Sequence, residues 1–359
     1  MGYVAEQKKQ ESTVILFEIT ICGRTNFVRP FSNFKEGGII KRLIAFILSI
    51  LLVILPLTSC NNITVEKSQK LSIVSTIFPY YDFAAEISKD KATVSLLIPP
   101  GCEPHDFDFS PQDIIEINNA DIFIYNGGES DSWVESILEN IDPSVKVIRC
   151  FDYVNPLYED DSALESEEHH HNETEEEEHH HEEQEYDEHI WTSPKNAINI
   201  VNAISREIIN TDKSNEDDYS KNCNNYIIEL KSLDNKLEQI SNQAKNNTLV
   251  IADRFPFLYL TQHYNFQHLS AFSGCSSQTQ PSIKTVTTII DYVNENNIPV
   301  VFKCDFSSDS FPNIIREDSN AKVGTLYSCH NVTKDMFIKG ESYISLMEKN
   351  CEILKEAVS

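Results

Sequence analysis

From Leu71 onward, short apolar runs alternate with stretches of mixed polarity. Leu71-Ser72-Ile73-Val74-Ser75-Thr76 predicts a buried strand, and Tyr80 to Lys89 a helix. Thr93 to Ile98 predicts a second strand, ended by Pro99-Pro100-Gly101. Ser110-Pro111-Gln112-Asp113 has the form of a helix start, with Ser at the cap and Pro in the first turn. Asp121 to Tyr125 and Val145 to Ile148 predict further strands, with a helix over Ser132 to Glu139 between them. Such alternation predicts a parallel sheet covered by helices on both faces.

The alternation stops at an acidic stretch and resumes at Thr192-Ser193-Pro194, another capped helix start. A long helical region follows, with an interruption expected near Thr211 to Asp218. In its second half Tyr226, Leu230, Leu233, Leu237 and Ile240 step by four, three, four and three, which puts them on one helix stripe. A second alternating block opens at Thr248 to Ala252. It continues with strands over Pro299 to Phe306 and Ala321 to Tyr327, and helices over Pro256 to His263, Ser282 to Asn296 and Ser342 to Leu354. The expected architecture is therefore α/β, with two halves separated by a long helix. No strong internal sequence repeat accompanies it. Ligands of parallel sheets bind beyond the carboxyl ends of the strands, so two such halves direct attention to one shared cleft.

Ahead of this region Lys41-Arg42 precedes LIAFILSILLVILPL, an apolar run from Leu43 to Leu57, followed by Thr58-Ser59-Cys60. A basic start, an apolar core and small residues before a cleavage point form a secretory signal. The run is shorter than the ~20 residues of a membrane span. An uncleaved anchor helix is the alternative, and both readings place residues 61–359 outside the cytoplasmic membrane. Residues 1–38 do not fit a signal peptide, are read as lying upstream of the true start, and are left out of fold reasoning. The expected division is a leader and signal over 1–60, a tether over 61–70 and a first lobe over 71–192. A helical linker over 193–245 and a second lobe over 246–359 complete it.

Composition changes this picture little. The chain has 359 residues, 40% of them hydrophobic, which suits a globular protein. Its net charge of −27 argues against a nucleic-acid partner, since phosphates demand a basic face. The charge is local: residues 159–188 carry sixteen carboxylates, and no Lys or Arg lies between Arg149 and Lys195. The cysteines Cys102, Cys150, Cys223, Cys275, Cys304, Cys329 and Cys351 form no CxxC pair, which disfavours a zinc ribbon. Their disulfide state stays open.

Three single histidines sit at strand ends or helix starts. His105 follows a strand within GCEPHDFDFSPQD, and His189 precedes a helix within DEHIWTSP. His330 follows a strand within LYSCHN, and Asp253-Arg254 follow the strand from Thr248. Neutral imidazole is a common zinc ligand, and the acids beside His189 can accept its second N–H. Asp253 reads equally as a ligand or as the ion-pair partner of Arg254. His263 and His268 flank a helix end and read as structural. The runs His169, His170, His171 and His179, His180, His181 lie in low-complexity acid with no apolar residue between Leu164 and Tyr186. Such a segment cannot bury surface of its own. It is either a flexible metal collector or a solvated charge run.

These motifs together resemble the metal-receptor lipoproteins of bacterial ABC importers for zinc and manganese. The resemblance rests on the lipobox Leu57 to Cys60, on Ile77-Phe78-Pro79, and on Pro99 to His105 with the trailing Ser110 to Asp113. Ala120-Asp121, Asn126-Gly127, Trp133 and His189 to Pro194 also carry it. It implies lipid on Cys60, two α/β lobes joined by one long rigid helix, and a single divalent metal in the cleft. It also implies an ABC permease with its ATPase as partners, and a monomer. His105 and His189 would be first-lobe ligands. The second lobe departs from the family pattern, which expects a histidine where Asp253 stands and an aspartate near Tyr327. His330 is then expected as the third imidazole, with Asp253 a possible fourth ligand. Three nitrogens and one oxygen suit tetrahedral Zn2+ better than Mn2+, although Mn2+ stays possible. A hydrolase is disfavoured, since neither HExxH nor GxSxG occurs. An envelope metal buffer or adhesin without transport remains open.

Overall fold

A computed structural model describes residues 70–159, 185–272 and 280–359. Cys60, Cys275 and both triple-histidine runs lie outside the described residues. The first sheet contains β1 (Leu71–Ser75), β2 (Ala92–Leu96), β3 (Ile122–Tyr125) and β4 (Lys146–Arg149), in the order β2-β1-β3-β4. The second contains β5 (Thr248–Ile251), β6 (Gln267–Ser270), β7 (Val300–Cys304) and β8 (Lys322–Leu326), in the order β6-β5-β7-β8. All pairings are parallel. The two lobes thus repeat one strand order without repeating a sequence.

Helices α1 (Phe78–Ser88), α2 (Pro111–Asn118) and α3 (Ser132–Leu138) belong to the first lobe. Helices α6 (Leu258–Tyr264), α7 (Ile283–Glu295), α8 (Ser310–Glu317), α9 (Lys334–Ile338) and α10 (Tyr343–Ala357) follow the linker. The start of α2 is fixed as its sequence predicts: Ser110 Oγ accepts from Asp113 N, and Asp113 Oδ2 accepts from Ser110 N at 2.6 Å.

Between the lobes run two helices, with the break where the sequence predicts an interruption, near Thr211 to Asp218, and the second of them is the long helix that the resemblance implies. These are α4 (Pro194–Thr211) and α5 (Glu216–Asn242), parted by a 3-10 turn over Lys213–Asn215. Asp212 makes the break by accepting from Ser214 N, Asn215 Nδ2 and Tyr219 Oη. Helix α5 restarts with Glu216, Asp217 and Asp218 in its first turn, where carboxylates favour the helix dipole. Its buried stripe runs through Tyr219, Cys223, Tyr226, Leu230, Leu233, Leu237 and Ile240. One continuous apolar core joins that stripe to α1, α10 and the inner faces of both sheets. Each sheet has a smaller separate core on its outer face.

Three elements escaped the sequence reading. Strand β6 is polar and only Ser270 in it is buried, as befits a sheet edge. Helices α8 and α9 have eight and five residues, too short for a period to show.

Candidate metal centre

The carboxyl ends of the two sheets face one another, and the three single histidines meet there. His105 lies in a 3-10 turn, Pro104–Asp106, after β2. His189 directly precedes the turn Ile190–Thr192 that leads into α4. His330 follows β8 behind Cys329, whose φ of +60° is rare for a residue with a side chain. That conformation bends the loop and turns His330 inward, where it is 5% exposed. One nitrogen from each imidazole lies within 4.8 Å of the others. They line a cavity of about 40 Å3, the scale of a single ion.

Carboxylates orient two of the rings. Asp187 Oδ1 lies 3.3 Å from His189 Nδ1 and also accepts from His189 N at 2.9 Å. Glu188 Oε1 lies 3.3 Å from His105 Nδ1, while Oε2 accepts from Ser130 N and Ser130 Oγ. A carboxylate 3.3 Å from each Nδ1 favours a proton on that nitrogen, which leaves the Nε2 lone pair for a metal. His330 supplies a buried Nε2 with no hydrogen-bond partner among the described residues, as an acceptor awaiting a cation would.

The electrostatics agree. Burial, with His105, His189 and Arg254 nearby, holds His330 well below the ordinary imidazole range. Burial also lowers His105, against the pull of Glu188. Both rings therefore stay neutral and ready to donate electron pairs. Burial would raise the Glu188 carboxyl, but His189, His105 and Ser130 together hold it low. Its approach depends on Gly128, where a Cβ would stand 2.3 Å from that of Glu188.

Loops of the two lobes are joined around the cluster by direct hydrogen bonds. Phe78 N donates to His330 O, and Gly101 N to Val332 O. Asn331 Nδ2 donates to Pro99 O and Cys102 O, both at 2.9 Å. Trp191 Nε1 donates to Ser328 O at 2.8 Å.

Asp253 is not brought into the cluster. Its Oδ1 accepts from Arg254 N and its Oδ2 from Cys304 N, so both oxygens are held by backbone. Cys102 is an exposed free thiol and Cys329 a buried one, and neither joins the imidazoles. His263 Nδ1 pairs with Ser193 Oγ at 2.6 Å, and His268 stacks on Phe255 at 3.7 Å; both are structural. Sequence reasoning did not find the link of Glu188 to Ser130 and His105. A contact spanning 58 residues leaves no local trace. The six described thiols form no disulfide.

Residues 73–357 match the family described as the periplasmic zinc-uptake complex component A, ZnuA. The chain is 32% identical over 305 residues to the high-affinity zinc uptake system protein ZnuA of Bacillus subtilis, covering 84% of this chain and 93% of that one. It is 31% identical over 301 residues to the zinc-binding lipoprotein AdcA of Streptococcus pneumoniae; that match covers 84% of this chain but spans only 58% of the longer relative. The crystal structure of the Zn(II)-bound ZnuA-like domain of that AdcA superposes with a TM-score of 0.66 at 28% identity, covering 80% of this chain and 99% of the domain. The metal-dependent lipoprotein YcdH of B. subtilis gives 0.68 at 26% identity, covering 81% of this chain and all of its own, 100%. With two α/β lobes of the same build and a match that runs through nearly the whole described region, this chain belongs to the ZnuA family of zinc-uptake components.

Proposed function

We propose that the chain is an extracytoplasmic receptor that captures Zn2+ between its lobes and delivers it to an ABC permease and its ATPase. The observation that carries this reading is the cluster of His105, His189 and His330, contributed by both lobes, with His189 and His330 buried and His105 half-buried. Three imidazole nitrogens favour Zn2+, whereas Mn2+ prefers oxygen donors and a larger shell. The names of the relatives support zinc as the cargo, and the family's description supports an extracytoplasmic location. Lipid on Cys60 would hold the receptor at the membrane, and His169 to His171 with His179 to His181 would gather zinc near the cleft. Nothing is chemically transformed: binding biases the lobes, and the permease reads that state.

The test is to titrate Zn2+, against Mn2+, into residues 61–359 with Glu165 to Gln184 deleted. One tight zinc site that disappears in His189→Ala is the expected result. Loss of all tight binding on deletion would place the site in the histidine runs and replace the receptor with a metal buffer.

A further inference from the structure

We propose that Asn126 is a positioning residue for the metal: it fixes Glu188, and through Glu188 the spacing of His105 and His189. The inference rests on the three-histidine reading above. Glu188 stands between the two first-lobe rings. Its carboxylate reaches His105 Nδ1 and Ser130, while its carbonyl belongs to the peptide bond that leads into His189. A shift of this one residue therefore moves both imidazoles.

Asn126 follows β3 and is 1% exposed, and its Nδ2 donates to Glu188 O at 2.9 Å. Each of its other polar atoms is held by a different segment. Oδ1 accepts from Tyr80 Oη of α1, N donates to Asp131 Oδ2 at 2.6 Å just before α3, and O accepts from Phe151 N at 3.0 Å beyond β4. Asp131 Oδ2 accepts in turn from Thr76 Oγ1 at 3.2 Å. A carbonyl can only accept, so Glu188 O requires Nδ2 on its side of the amide, and Tyr80 donates to the other end. The amide is thus held in one orientation. Ile190 N shares the same carbonyl at 2.8 Å, which closes the turn around His189. A buried amide donor that lost its acceptor would be costly, so Glu188 cannot drift from Asn126 cheaply. All these groups belong to the first lobe. The bite of His105 and His189 is therefore set within that lobe, independently of the loop that brings His330.

A buried Asn that only closed loops would cost stability on replacement and leave the metal's surroundings alone. A positioning residue alters them. In the full chain, zinc affinity of the tight site is measured by competition with a chromophoric chelator, and one equivalent of Co2+ reports ligand geometry through its visible absorption. Asn126→Leu is expected to weaken zinc by about 10- to 100-fold and to shift the Co2+ bands, as loss of a supporting partner does. Tyr80→Phe removes only the O–H that holds the amide, and a loss of about fivefold is expected, the worth of one neutral hydrogen bond. Tyr219→Phe removes a comparable O–H from Asp212 at the linker break and should leave both readouts at wild-type values. Wild-type affinity and Co2+ bands in Tyr80→Phe, or equal losses in Tyr80→Phe and Tyr219→Phe, would overturn the inference, whether or not Asn126→Leu folds. His330→Ala separates the two levels: if it keeps tight zinc, the three-histidine reading itself fails, and this inference with it.

Discussion

At the scale of single residues, the candidate site is a cluster of three imidazoles, of which burial keeps His105 and His330 neutral. Replacing His105, His189 or His330 by Ala should each remove the tight zinc site, because two nitrogens do not hold a tetrahedral ion. Gly128→Ala should weaken zinc by about tenfold without a direct contact to the metal, since a methyl there displaces Glu188 and frees the His105 ring. Chelator competition on the purified variants decides both. Away from the site, Asp82 is buried and accepts from Tyr226 Oη at 2.8 Å and Tyr343 N at 3.1 Å. Burial raises its carboxyl to about 7, above the ordinary value of 3.8. The folded state therefore binds this proton more tightly than the unfolded state. Its carboxyl is no burden below pH 3.8, and a penalty grows as pH rises to about 7. Asp82→Asn should remove a penalty on the order of a few kcal/mol. Melting of the metal-free proteins should show the variant's advantage largest at pH 8 and small at pH 4. The three clustered histidines were legible because each sits in a short polar motif at a strand or helix end. Asp253 was legible in the same way, yet the backbone N–H groups of Arg254 and Cys304 occupy it. Position along a chain does not reveal which acceptor a carboxylate serves.

At the scale of elements, α5 was readable because its stripe keeps one period over seven buried positions. Leu233 lies fully buried in that stripe, and Leu233→Ala should cost about 2–5 kcal/mol in urea unfolding. Helix α4 starts on Ser193, whose Oγ accepts from Lys195 N and also meets His263. Ser193→Ala should cost roughly 1 kcal/mol, with zinc affinity unchanged if His189 keeps its place. The strands were legible where apolar residues cluster, as in Ile122–Tyr125, Thr248–Ile251 and Val300–Cys304, and β6, with one buried residue in a polar run, was not.

At the scale of the molecule, the proposed site belongs to neither lobe alone, since His330 and its loop come from the far side of the chain. On that proposal zinc stabilises the lobes together. Free zinc at a thousand times Kd should raise the unfolding free energy by about 4 kcal/mol. Calorimetry should show one transition moving upward as zinc is added, and no movement in His189→Ala. Two transitions, with only one shifted by zinc, would mean that the lobes melt separately.

The acidic segment enters and leaves the first lobe through a two-stranded neck. Glu159 N donates to Glu185 O and Asp187 N to Leu157 O, while Tyr158 and Tyr186 stack at 4.5 Å. Its ends are thus fastened side by side, two residues short of His189. That makes the neck a socket. What is plugged into it can lengthen, shorten or change its chemistry while the imidazole beyond stays in register, and doubling an inserted loop adds only about 0.6 kcal/mol of closure entropy. A different chelating peptide, or a fluorescent reporter of zinc, can be grafted there with the receptor still assembled beneath it.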